Sequence, residues 1–293
     1  SAQELFDIIA KEIGTWKVDR MDATATGQIL ATARLNAERL DEYPDAIPAS
    51  LDDAYAIQDA MTKAMQLPIA GWKIGCTSQA ARTALGIDEP ISGPMFETFV
   101  SPGPAAVPVR ENDLRIVEAE IGFRLKKDLA PRSAPYTKAD VLEAIATVHP
   151  MFEVANKRLP GTPKEAAVWI VADGAINQAI VFGNGIPFDA DMDLANETVK
   201  VSIDGVHATD GIGSNALGGP LEVMVWVANH LSDRGIGLKA DNWISTGLIC
   251  DLLQPDQGAT IVAEFGSIGK LTLKLSAQYT TAIGQIQLQN LDV

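Results

Sequence analysis

Hydrophobic and polar positions alternate most regularly at 117–123, where Val117, Ala119, Ile121 and Phe123 fall on one side of an extended chain and Glu118 and Glu120 on the other. This predicts a β-strand with one apolar face and two carboxylates pointing together. Helical spacing prevails earlier in the chain. Leu5, Ile8, Ile9, Ile13 and Trp16 predict a short leading helix, and an Ala-rich stretch predicts a second over 26–40. Ser50 is the expected cap of a third helix over 51–65, which ends before Pro68. Around Lys73 a glycine-flanked apolar run predicts a strand or strand-to-loop transition over 70–78. A helical turn or two at 79–86 follows, then a Pro- and Gly-rich passage of loop and edge strand from 90 to 108.

In the second half, Thr137 opens a helix predicted over 138–148, and the break at Pro150 predicts a strand over 149–155 that carries Glu153. Short apolar runs predict strands at 168–171, 179–182 and 198–204. Gly218-Gly219-Pro220 starts the clearest helix of the chain, with Gly235 as its stop, and 243–248, 259–265 and 271–276 predict further strands. Helices gathered near the start and strands mainly after them predict an α+β fold, not a doubly wound parallel sheet.

Composition narrows the function classes. The 293 residues are 47% hydrophobic and 21% charged, enough for a full core without disulfide or metal staples. The formal net charge is −15 with Lys and Arg scattered singly, so the basic footprint of a nucleic-acid binder is missing. An acidic protein that handles an anionic substrate needs a local positive centre, such as a metal ion with a well-placed lysine. Cys76 and Cys250 form no C-x-x-C pair and fit a reducing compartment, which makes the cytoplasm the expected location. Early acidic residues and the lack of an apolar run of about 18 residues predict neither a signal peptide nor a membrane span. No dinucleotide fingerprint or P-loop supports a nucleotide cofactor.

The candidate chemistry lies in the acids. Two carboxylates side by side next to an apolar layer repel each other and lose hydration, and a hard divalent cation is the simplest relief. Glu153, inside Met-Phe-Glu-Val-Ala, is hard to place on a solvated surface and belongs with Glu118 and Glu120. Lys73, in its apolar strand, must either snorkel outward or meet an anion.

Several separated stretches together resemble the 2-keto-4-pentenoate hydratase family of the fumarylacetoacetate hydrolase superfamily. They are Gly71-Trp72-Lys73-Ile74-Gly75-Cys76-Thr77-Ser78, Val117-Glu118-Ala119-Glu120-Ile121, Phe152-Glu153, Ala172-Asp173-Gly174-Ala175 and the segment from Gly235 to Gly247. The resemblance implies a mixed β-sheet rolled into a barrel-like structure with N-terminal helices packed on it, in a homo-oligomer. Residues 1–21 are then a helical extension, and 22–293 form one catalytic domain, helical over 22–69 and β-rich over 70–293. It also implies Mg²⁺ or Mn²⁺ held by Glu118, Glu120 and Glu153, with Lys73 beside a small 2-oxo acid as catalytic and binding residue. Thr246, Ser92, Asp173 and Asn177 are the further expected substrate contacts.

Two stretches depart from the family pattern. Pro90-Ile91-Ser92-Gly93 stands where related hydratases carry Pro-Asp-aromatic-Gly, and Asp173-Gly174-Ala175-Ile176-Asn177 replaces Asp-Asn-Ala-Ser-Ser. Ile91 moves no protons, so the task falls to Lys73, Ser92, Glu97 or water at the metal, or the reaction differs. The expected activity is hydration of a 2-hydroxy-2,4-dienoate or its 2-oxo tautomer in aromatic-compound catabolism. The alternatives are decarboxylation of a 2-oxo-3-enedioate, acylpyruvate-type hydrolysis through a His-Glu pair, and a non-catalytic partner subunit.

Overall fold

The computed structural model describes residues 21–161 and 167–277, with the backbone of 289–290. The helix expected over 2–16 lies outside the described residues. Helix α1 (Ala23–Leu35) starts where the Asp22 side chain accepts from the backbone N–H groups of Thr24 and Ala25, and it ends five residues earlier than its Ala-rich pattern predicts. Helix α2 (Leu51–Met65) has Ser50 as N-cap and Asp52 and Asp53 in its first turn, both favourable at the positive end of a helix.

Strand β1 (Ile69–Gly75), helix α3 (Gln79–Leu85), β2 (Ile91–Phe96), β3 (Val100–Pro102) and β4 (Ala105–Pro108) follow. Then come β5 (Ile116–Leu125), α4 (Lys138–Ala144), β6 (Ile145–Ala155), α5 (Ala167–Ala172), β7 (Asn177–Phe182) and β8 (Ile186–Pro187). The chain continues with β9 (Thr198–Ile203), β10 (Val206–Ile212), α6 (Pro220–Asp233), β11 (Trp243–Leu248), β12 (Thr260–Phe265), β13 (Lys270–Ser276) and β14 (Gln289–Asn290).

The strands form the expected mixed β structure, divided between two sheets. One runs β2-β1-β11-β5-β6-β7-β3 with β8 added to β6, and the other runs β10-β9-β12-β13-β4-β14. The β1–β11, β3–β7 and β4–β13 pairs are parallel and the rest antiparallel. The main core lies between the inner faces of the two sheets and takes Val117, Ala119, Ile121 and Phe123 from β5 and Ile261, Leu271 and Leu273 from the second sheet. A second cluster joins α1, α2 and α5 to β2 through Leu30, Ile57, Met61, Phe96, Trp169 and Val171.

Two expectations are corrected. The run at 168–171 is not a strand but lies within helix α5, packed on α2 with Trp169, Val171 and Ala172 buried. A short apolar run carries no period that separates the two states, and tertiary packing decides. The helix expected over 138–148 stops at Ala144, after a capping box between Thr137 and Asp140, and Ile145 already begins β6. Pro150 does not break that strand. It pairs opposite Ile121 within the ladder, and its carbonyl accepts from Gly183 N–H at 2.8 Å.

Gly93 fixes how closely β2 approaches the turn at Gly174–Ile176, because a Cβ there would lie 2.3 Å from the Gly174 carbonyl oxygen. Gly93→Ala is therefore expected to lower unfolding stability by about 1–3 kcal/mol, read as a shift in the denaturant midpoint. An unchanged midpoint would show that the turn moves aside freely.

Candidate active site

Register places the site. In the β5–β6 ladder Glu118 pairs with Glu153, so their side chains leave the sheet on one face, and Glu120, two residues along, joins them. Oxygen atoms of Glu118, Glu120 and Glu153 all lie within 4.8 Å of one another. On the next strands Lys73 pairs with Ser245, and Ser245 pairs with Gly122, which brings the lysine onto the same face.

Glu120 and Glu153 are fully buried, while Glu118 is partly open to a cavity of about 360 Å³. Glu120 accepts from Ser245 Oγ, and from Gly247 N–H at 2.8 Å, through its Oε2. That amide is presented by the β11 bulge at Gly247, whose φ of +91° favours glycine. Glu153 Oε1 accepts from Asn177 Nδ2 at 2.9 Å, and Asn177 Oδ1 accepts from Arg34 Nη2 at 3.1 Å. Glu120 Oε1 accepts no hydrogen bond, and Glu153 Oε2 is met by Lys73 Nζ at 3.1 Å as an ion pair.

Burial, followed by the charge of Glu153, pushes Glu118 up to about 7. Burial and the same repulsion raise Glu120 well above the ordinary carboxylate range. For Lys73 burial disfavours the ammonium, but Glu153, Glu118 and Glu120 outweigh it and hold the group above its usual value. The orphaned Glu120 oxygen, with oxygens of Glu118 and Glu153 within 4.8 Å, makes an all-oxygen donor set that suits a hard divalent cation.

The remaining expected residues separate. Lys73 lines the cavity and also donates to the Ala175 carbonyl at 3.1 Å. That carbonyl is offered by a turn in which Gly174, Ala175 and Ile176 all have positive φ. Asn177 stands behind Glu153 and orients it. Asp173 does not face the cavity: it is ion-paired to Arg158 at 2.5 Å and also accepts from Arg158 N–H at 2.9 Å, which clamps the turn. Ser92 pairs with Ile74 and so points to the opposite face from Lys73, where its Oγ meets His230 Nε2 at 3.0 Å. Thr246 is fully buried and donates to the Ile121 carbonyl at 2.5 Å, securing the bulge instead of lining the cavity. Glu97 is exposed on a 3₁₀ turn. Ile91, opposite Gly75, does line the cavity.

Among the described residues no histidine lines the cavity. His149 is held by Thr147 and Gly183, His207 lies against Asp210 and His230 against Ser92. Cys76 and Cys250 do line it, but burial pushes their thiols up to about 11 and 12, so neither is a ready nucleophile.

Sequence reasoning missed Arg34, Ser245 and Arg158. Arg34 alone left a signal, as a basic residue on the stripe that Leu30 and Ala31 bury. Replacing one repelling carboxylate with a neutral isostere that keeps its donors should relieve strain. Glu120→Gln is expected to raise the thermal midpoint in EDTA by about 2–4 °C, and a lower midpoint would show that the acids are already compensated.

No protein-family model matches the sequence. It is 32% identical over 236 residues to a 2-hydroxyhexa-2,4-dienoate hydratase of Comamonas testosteroni, covering 79% of this chain and 87% of that protein. It is 28% identical over 259 residues to a 2-keto-4-pentenoate hydratase of Paraburkholderia xenovorans, covering 87% and 94%. Among solved structures, 4-oxalocrotonate decarboxylase from Pseudomonas putida G7, complexed with magnesium and adipate, superposes with a TM-score of 0.78 at 26% identity over 86% of this chain and 97% of that one. Fumarylpyruvate hydrolase from Pseudomonas aeruginosa, in complex with Mn²⁺ and pyruvate, shares the fold at a TM-score of 0.55 and 10% identity, over 72% of this chain and 91% of that one. With the carboxylate trio and lysine set on this rolled mixed sheet, the chain belongs to the 2-keto-4-pentenoate hydratase family, within the fumarylacetoacetate hydrolase superfamily.

Proposed function

We propose that the protein is a hydro-lyase that adds water to a 2-hydroxy-2,4-dienoate, or to its 2-oxo tautomer, with the help of a divalent metal ion. The observation that carries this reading is the convergence of Glu118, Glu120, Glu153 and Lys73, of which Glu118 and Lys73 reach the wall of one cavity. The named hydratase relatives support the reaction class. Glu118, Glu120 and Glu153 would hold Mg²⁺ or Mn²⁺, which supplies Lewis-acid stabilisation of negative charge on the oxygens of a 2-oxo acid.

The chain's own groups do the rest. Lys73, ion-paired with Glu153 at 3.1 Å, would set a basic group beside the substrate. It would deliver a proton to C5 of the dienol and take back the proton that the C2 hydroxyl releases as it becomes a carbonyl, after which water adds across the remaining C3–C4 double bond, its hydroxyl going to C4 and its proton to C3. Ser92 faces His230 and Glu97 is exposed, so the proton falls to Lys73, which lines the cavity. Asn177 fixes the rotamer of Glu153, and Arg34 fixes Asn177.

A second reading is favoured by the structural likeness to 4-oxalocrotonate decarboxylase, since a site that stabilises an enolate serves CO₂ loss equally well. Measuring both loss of ultraviolet absorbance from 2-hydroxypenta-2,4-dienoate and CO₂ release from 4-oxalocrotonate separates the two. Hydration without CO₂ is the expected result, and CO₂ release alone would replace the hydratase by a decarboxylase. Lys73→Met should lower kcat by about 10²–10⁴-fold while metal binding persists. Asn177→Ala should weaken metal affinity by about 10–100-fold in calorimetry, and an unchanged affinity would remove Asn177 from the supporting chain.

A further inference from the structure

Arg158 is not among the described residues that line the cavity, yet it holds both ends of the turn that meets the site. At the start of that turn its Nε lies 2.5 Å from Asp173 Oδ1, its backbone N–H donates to Oδ2 at 2.9 Å, and its Nη2 donates to the Asp173 carbonyl at 2.8 Å. The same Nη2 lies 3.5 Å from the Asn177 carbonyl at the end of the turn. Between these anchors Gly174, Ala175 and Ile176 take φ of +66°, +53° and +52°, a costly succession for an alanine and a β-branched residue. Such a conformation persists only where its surroundings over-determine it. Two further contacts help to do so: Asn156 N–H donates to the Ile176 carbonyl at 2.9 Å, and Gly93 lets β2 lie against Gly174.

The turn delivers two groups to the site. Its Ala175 carbonyl accepts from Lys73 Nζ, and Asn177 at its end donates to Glu153. An ammonium carries three donors. Glu153 Oε2 and the Ala175 carbonyl engage two of them at 3.1 Å each, which leaves the third for a ligand in the cavity that Lys73 lines. We propose that Arg158 is a positioning residue: by fastening both ends of this turn it aims the remaining Lys73 proton at the substrate and holds Glu153 in the rotamer that grips the metal. A lysine at 158 would keep a charge opposite Asp173 but, lacking the planar fork, could not span the carboxylate and both carbonyls at once. The proton arm of the proposal rests on the hydratase reading, and the metal arm does not.

Two variants of the full chain test this. Arg158→Lys keeps an ion pair with Asp173, and Arg158→Gln combined with Asp173→Asn removes the pair without leaving a buried charge alone. Each is compared with the parent by thermal unfolding in EDTA, by Mg²⁺ calorimetry and by hydration of 2-hydroxypenta-2,4-dienoate at saturating Mg²⁺. Mg²⁺ affinity of the folded variants is expected to fall about 10-fold, as for a group that orients a metal ligand. With the metal site filled by excess Mg²⁺, kcat should still fall about 10–100-fold while KM stays within about threefold, because a misaimed proton donor weakens the transition state more than binding. Unchanged Mg²⁺ affinity or unchanged kcat in a folded variant, with only the unfolding midpoint moved, would reduce Arg158 to a structural clamp and overturn the proposal. Failure of both variants to fold would overturn it in the same way. If the parent hydrates no dienoate while the variants lose Mg²⁺ affinity, the hydratase reading falls and the metal arm stands.

Discussion

Everything at this site depends on one ladder register, that of β5 against β6. Because Glu118 stands opposite Glu153 and side chains alternate along a strand, three acids are compelled onto one face while Val117, Ala119, Phe152 and Val154 fill the core on the other. A slip of one residue would send the carboxylates into the apolar layer. The large buried core is therefore what enforces the position of groups that would otherwise repel one another apart.

Around that ladder, each further element answers a demand made by the trio. The β11 bulge turns the Gly247 amide and the Ser245 hydroxyl onto Glu120. The left-handed turn after α5, clamped by the Arg158–Asp173 ion pair, sets a carbonyl against Lys73 and delivers Asn177 to Glu153. Even so, Glu120 Oε1 is left without a donor, and Glu153 Oε2 meets only the Lys73 ammonium at 3.1 Å.

The acids were legible in the sequence because alternation at 117–123 and an acid inside an apolar run are local signals. The neighbours of the site were not. Ser92 and Ile91 differ only in the parity of their pairing with β1, which a single strand cannot reveal, so the polar residue looked available and the apolar one idle. Asp173 looked free because its partner Arg158 lies fifteen residues earlier in the chain, on the other side of helix α5. The run at 168–171 became a helix because α2 packs on it, a cause outside its own composition.

The reach of Arg34 from α1 through Asn177 to Glu153 has a consequence for how such chains diverge. The helical layer and the rolled sheet are joined by a buried polar relay, so they do not behave as interchangeable modules. Recombination between relatives at the α2–β1 junction would inherit a functional centre only when both parents encode the same guanidinium–amide–carboxylate relay, and drift at one end restricts what the other can accept.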